Sequence, residues 1–226
     1  MKNFKWLLVL AFSTFAIPLI GQHIFQGGGA FSTLKYDGDG ESMDFDSRAG
    51  FTLGYAYRHP ICSNFSVQPE LNWLQKGGKR SEDYYSGTIS LNYLEIPIYA
   101  LYTAKANQGF FGGIGPSLNF GLSGKIKYED DGEGEGSGSS YEEDINFGNG
   151  DDDDLKGFAF AINAQAGYLL ANGLLFNAFL SQVLSNSATD ELSEDDVKIK
   201  MFTYGIRIGY MLGRKPAASQ KLKPTF

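Results

Sequence analysis

Residues Thr88 to Tyr102, TISLNYLEIPIYALY, constrain the fold more than any other stretch of the 226-residue chain. One parity holds Asn92, Leu94, Ile96, Ile98, Ala100 and Tyr102, and the other holds Leu91, Tyr93, Glu95, Pro97 and Tyr99. Successive strand side chains point to opposite faces, so this period-two pattern predicts a strand with one apolar and one mixed face. It is too polar for a membrane helix and too alternating for a buried parallel strand. A tilted strand crosses a membrane in about 9–11 residues, and this run is long enough.

Seven further stretches read in the same way: His23–Tyr36, Arg48–Arg58, Phe65–Lys76, Gly109–Ser123, Gly157–Leu170, Leu174–Leu184 and Lys198–Leu212. The cleanest is Arg48–Arg58. Ala49, Phe51, Leu53, Tyr55 and Tyr57 share one face, while Arg48, Gly50, Thr52, Gly54, Ala56 and Arg58 share the other. A soluble sheet turns its bulky face inward. Arginines among glycines and alanines instead suit a narrow polar interior, with aromatics outside. The chain is rich in Gly (29), Phe (18) and Tyr (13), which fits a barrel of crowded interior and bulky exterior. The slightly negative mean hydropathy excludes a helical membrane bundle but not a barrel, because only half of each strand meets lipid.

The connections alternate in length. Asp37–Ser47, Gly77–Gly87, Gly124–Lys156 and Asn186–Val197 are long and polar; the links around Pro60–Asn64, Ala104–Gln108 and Ala171-Asn172-Gly173 are short. Short turns on one rim and long loops on the other mark an outer-membrane barrel. The predicted fold is therefore an all-β, eight-stranded antiparallel up-and-down transmembrane barrel over residues 22–213. Long loops would lie outside the cell and both mature ends in the periplasm. Closure also removes the exposed edges of an open sheet. Before the barrel, Lys2 and Lys5 precede the apolar run Trp6–Ile20 and the small Gly21, the pattern of a secretory signal peptide over 1–21. Residues 214–226, with Arg214, Lys215, Lys221 and Lys223, read as a disordered basic periplasmic tail.

The segments Gln68-Pro69-Glu70-Leu71, Gln75-Lys76-Gly77, Asn92-Tyr93-Leu94-Glu95-Ile96-Pro97 and Gly113–Pro116, with the final aromatic strand, resemble the PorT-like outer-membrane β-barrel family of Bacteroidetes. The resemblance spans essentially the whole mature chain. It implies an eight-stranded barrel in the outer membrane and, through the family's named member, a link to protein secretion and gliding.

Six charges project inward by parity: Arg48, Arg58, Glu70, Lys76, Glu95 and Arg207. An eight-stranded barrel is just wide enough for side chains to fill, and unpaired buried charge is costly. A salt-bridged plug is the first expectation, and a narrow ion pathway the second. Glu70 and Glu95, on adjacent strands, could also form a carboxylate pair. No nucleophile or metal set accompanies them, His23 and His59 have no triad partners, and Cys62 is the single cysteine. No catalytic residue, metal or cofactor is expected. The loop Gly124–Lys156 is densely acidic and carries Asp151, Asp152, Asp153 and Asp154 in a row. It reads as a mobile hydrated surface loop, or as a weak cation site, since carboxylates suit Ca²⁺. Asp37, Asp39 and Glu41 begin like a calcium loop but lack its glycine and terminal glutamate positions. Tyr55, Tyr57, Tyr102, Tyr168 and Tyr210 are expected as an interfacial belt at the periplasmic rim, with Trp73 apart.

The net charge of −7 argues against nucleic acid. The expected partners are outer-membrane lipid and, through loops or tail, other envelope proteins; the sequence does not set an oligomeric state. The functional expectation is a non-enzymatic, structural or interaction protein of the envelope, with an accessory role in secretion or surface-protein assembly implied by the resemblance. A narrow channel for ions or small solutes is one alternative. A soluble lipocalin-like periplasmic binding barrel, with its apolar faces turned inward, is the other.

Overall fold

The alternation seen in the sequence becomes geometry in a computed structural model, which describes residues 22–38, 41–82, 85–105, 108–130, 139–148, 150, 153–189 and 197–213. The expected signal peptide (1–21) and basic tail (214–226) lie outside the described residues. The strands are β1 (Gln22–Gly38), β2 (Glu41–Asp44), β3 (Asp46–Pro60), β4 (Phe65–Glu82), β5 (Tyr85–Lys105), β6 (Gln108–Asp130), β7 (Ser139–Ile145), β8 (Phe147–Gly148), β9 (Leu155–Lys156), β10 (Phe158–Leu169), β11 (Leu174–Val183) and β12 (Lys198–Leu212). Eight of them pair antiparallel in chain order, β1-β3-β4-β5-β6-β10-β11-β12. The ring closes where β12 returns to β1, from His23↔Leu212 to Asp37↔Lys198. At this seam Gly28 lies opposite Arg207, and a Cβ there would collide with the backbone of Ile206 and Arg207. Gly173, with φ of 94°, makes the tight β10–β11 turn.

Phe25, Phe51, Leu53, Ile98, Phe110, Ile114, Phe176, Ile206 and Ile208 are exposed on the outer wall, while their strand neighbours of opposite parity are buried or, at Gly50, Gly54 and Gly113, half-buried. Ile206 is 69% exposed and the next residue, Arg207, only 2%. An apolar band of this extent is the outside of a membrane barrel. This overturns the lipocalin-like alternative, which needed the apolar faces inside. Tyr55, Tyr102, Tyr168 and Tyr210 sit near the short-turn rim beside other rings: Tyr55 tilts against Phe25 at 5.4 Å, and Tyr168 meets Phe110 edge-on at 4.8 Å.

Three segments expected as loops are in part sheet among the described residues. β4 and β5 extend into Gly77–Gly87, with the ladder running from Gly77↔Ser90 to Glu82↔Tyr85. The stretch from Gly124 begins as strand: β6 runs to Asp130 and β7 pairs back on it from Gly124↔Ile145 to Asp130↔Ser139. β2 likewise folds back on the end of β1. Above the bilayer the outer face of a strand meets water instead of lipid. The apolar alternation that announces a membrane strand therefore stops, while the backbone ladder, which needs no particular side chains, goes on.

Along each strand the interior is layered. Nearest the short-turn rim lie Ile24, Tyr99, Leu101, Phe111, Leu169, Leu175 and Met211. Farther along, Ala30, Leu74 and Phe179 form a thin apolar partition. At the long-loop end Leu34, Leu91, Tyr93, Ile145, Leu155, Ile199 and Met201 make the largest cluster. Polar residues fill the two spaces between. On β11 the inward sequence from the short-turn rim is Leu175, Asn177, Phe179, Ser181, Val183.

Candidate functional site in the barrel interior

The lower polar layer is built around Glu70, whose carboxylate is buried and accepts five hydrogen bonds. Gln68 Nε2 donates to Oε1 at 2.6 Å and Gln165 Nε2 at 3.0 Å. Gln26 Nε2 at 2.9 Å, Asn72 Nδ2 at 3.0 Å and Arg207 Nη1 at 3.0 Å donate to Oε2. The donors are themselves held. Arg207 Nε donates to Asn177 Oδ1 at 3.2 Å, and Asn177 Nδ2 donates to Gln165 Oε1 at 3.1 Å. Arg58 Nε donates to Gln68 Oε1 at 2.6 Å.

The upper layer is sparser. Lys76 Nζ lies 3.5 Å from Glu95 Oε1 and donates to Asn119 Oδ1 at 2.7 Å. Ser181 Oγ donates to Glu95 Oε1 at 2.8 Å. Every barrel strand supplies a member to the two layers: Gln26, Arg58, Glu70, Glu95, Asn119, Gln165, Asn177 and Arg207 come from eight different strands. Each buried cation also rests on a ring of a neighbouring apolar layer. Arg58 lies 4.8 Å from the Phe111 centroid, Lys76 5.1 Å from Tyr93 and Arg207 4.3 Å from Phe179. A cation over a ring face keeps an electrostatic partner where water is excluded.

Five of the six inward charges from the sequence thus lie in the two layers: Arg58 and Arg207 with Glu70 below, and Lys76 with Glu95 above. Arg48 stands apart. The β3–β4 register shifts between Ser47 and Thr52, and Arg48 is half-buried at the long-loop end, donating to the Lys76 carbonyl at 3.5 Å. Glu70 and Glu95 do not form a carboxylate pair, since each faces its own cation across the Phe179 partition. Sequence reasoning about charges passed over the neutral partners Gln26, Gln68, Asn72, Gln165 and Asn177. Their inward parity was the available signal. With its oxygens engaged by five donors, Glu70 is a structural acceptor rather than a poised base.

Of the acidic run, Asp151 and Asp152 lie outside the described residues. Asp153 Oδ2 accepts the Gly150 amide at 2.7 Å, and Asp154 Oδ2 accepts that of Asn146 at 2.8 Å, so these two close their own turns. Among the described residues no three His, Cys, Asp or Glu side chains converge as a metal cage. His23 Nδ1 meets the Tyr55 hydroxyl at 2.6 Å, and Cys62 is a free, exposed thiol.

The attachment invasion locus protein Ail of Yersinia pestis, crystallised with the heparin analogue sucrose octasulfate, is 18% identical. That alignment covers 84% of this chain and 99% of Ail, with a TM-score of 0.41. Neisserial surface protein A is 11% identical over 83% of this chain and 96% of its own, with a TM-score of 0.42. OprG of Pseudomonas aeruginosa is 12% identical over 85% and 96%, with a TM-score of 0.41. A search among curated proteins finds no sequence match. The family described as "Outer membrane protein beta-barrel domain" matches residues 23–189, from the first strand to beyond β11; the chain belongs to this family and is a protein of the outer membrane.

Proposed function

We propose that this protein is a sealed, non-enzymatic barrel that acts in the envelope through its extracellular hairpins and periplasmic face, as an accessory to secretion or surface-protein assembly. Short turns of such barrels face the periplasm, which sends β2, the β4–β5 tip and the β6–β7 hairpin outward. The carrying observation is the layered interior. Two polar layers, in which Glu70 meets Arg207 and Glu95 meets Lys76 while Arg58 is held by Gln68 and the Phe111 ring, are stacked between three apolar ones, and Tyr93, Leu74, Tyr99 and Leu101 in those layers are at most 1% exposed. An ion crossing this interior would have to separate Glu70 from Arg207 and shed its water at Phe179. The secretion role rests on the PorT-like resemblance of the Gln68–Leu71 and Asn92–Pro97 segments, and is an inference by analogy. The proposal includes export on a signal over 1–21 and a basic periplasmic tail over 214–226.

Planar-bilayer conductance of the folded protein, with insertion proved separately, tests the sealed barrel. Insertion without current steps is the expected result. Discrete steps whose cation preference changes in Glu95→Gln would establish the narrow-channel alternative instead. N-terminal sequencing of protein recovered from the outer membrane checks export, and should begin at Gln22.

A further inference from the structure

Above the upper polar layer the side chains do not fill the barrel mouth. A cavity of about 230 Å³ lies there, walled by Leu34, Ile89, Ile126, Ile145, Leu155 and Ile199 from six different strands. The rings of Tyr36 and Phe45 complete its apolar lining. The remaining lining residues among those described are Glu143, Asp144 and Asp154, with no cationic side chain among the described lining. All three acids are exposed, whereas Leu34, Ile145, Leu155 and Ile199 are buried. The cavity is therefore an apolar pit with an anionic lip facing the cell exterior.

The lip has acceptor capacity to spare. Asp144 shares Lys125 with Glu142, at 3.8 Å and 3.5 Å. Asp154 uses Oδ2 for the Asn146 amide, and Glu143 is in no ion pair among the described residues. Apolar cavities of roughly 150 Å³ stay dry and take up small aromatic molecules, so the apolar wall of this larger, open-mouthed space offers a gain to an apolar group. Three carboxylates at its entrance repel an anion and favour a cation.

We infer that the extracellular mouth binds a small cationic amphiphile, its apolar body among the isoleucines and its ammonium group at Glu143 and Asp154. The site lies above the sealed layers, so the inference stands whether or not the lumen below conducts.

The four wall isoleucines supply the test. The full-length protein, folded in detergent micelles with ¹³C-labelled isoleucine methyls, is titrated with 2-phenylethylamine and, separately, with 3-phenylpropionate. Saturable shifts at Ile89, Ile126, Ile145 and Ile199 with the amine only are expected. The lipid-facing methyls of Ile98, Ile206 and Ile208 should show no saturable response. The exposed variant Glu143→Gln combined with Asp154→Asn should weaken the amine several-fold, and Leu155→Trp, which fills the pit, should abolish the shifts. Equal response to the carboxylate, no response, or parallel shifts at the lipid-facing methyls from micelle partitioning would each overturn the inference.

Discussion

The two buried carboxylates face different surroundings in the same barrel. Glu70 is met by five donors, from β1, β4, β10 and β12, and its cation Arg207 is itself anchored to Asn177. Glu95 has one hydroxyl donor and a lysine at 3.5 Å. A carboxylate in low dielectric is tolerable when its lone pairs are filled, and becomes a structural centre when the donors come from many strands. The lower layer thus ties the barrel wall together across its diameter. The upper layer is a local pair.

Removing Glu70 should have the largest effect. Glu70→Ala leaves Arg207 buried without its counter-charge and takes the carboxylate acceptor from four amide donors. The expected loss is about 3–5 kcal/mol, read as the urea midpoint of detergent-folded protein from Trp73 fluorescence. A loss no greater than that of the matching Glu95 variant would erase the contrast between the layers. Next comes a charge placed on the other side of the same wall. Ile206→Arg puts a guanidinium into lipid one residue from Arg207, and should cost about 2–4 kcal/mol near the bilayer centre. If it proved harmless, the exposed belt would not be facing hydrocarbon.

Glu95→Gln retains an acceptor for Ser181 and removes only the charge facing Lys76. The expected cost is about 1–3 kcal/mol, and Lys76→Met in the same background should recover part of it. A double-mutant cycle measures this coupling, and a value near zero would mean that the upper pair is already screened by water. The smallest effect belongs to the exposed extracellular ladder. The Lys127 ammonium, 2.6 Å from Glu129, holds that carboxyl below the usual range by its hydrogen bond and charge. Its stabilisation is present above the unfolded carboxyl pKa and lost as pH falls through the depressed folded value. Because both groups are exposed, the unfolding midpoint of Glu129→Gln should not differ measurably from that of the parent protein. NMR titration of the Glu129 carboxyl, expected to show a lowered midpoint, checks the sign.

Strand parity was legible at almost every membrane-level position, because lipid outside and a crowded interior impose opposite demands on alternate residues. The Lys198–Leu212 strand matches β12 end to end. The hairpin extensions were not legible, since Lys79↔Thr88 or Lys127↔Glu142 pairing leaves no hydrophobic signature in water. The candidate site was half visible. Inward charges stand out in a composition count, whereas Gln26, Gln165 and Asn177 look like any polar filler until the strands are curled into a ring.

The sequence by itself determined the class of fold, the number of crossings and which side chains face inward, because these follow from local alternation and connection length. Only the tertiary structure decided which inward groups meet. Gln165 is 95 residues from Glu70, and Arg207 is 137 residues away. Their contact depends on stagger and closure of the whole sheet, which no local pattern encodes. The same closure separates Glu70 from Glu95, withdraws Arg48 to the rim and leaves the apolar space beneath the acidic hairpin.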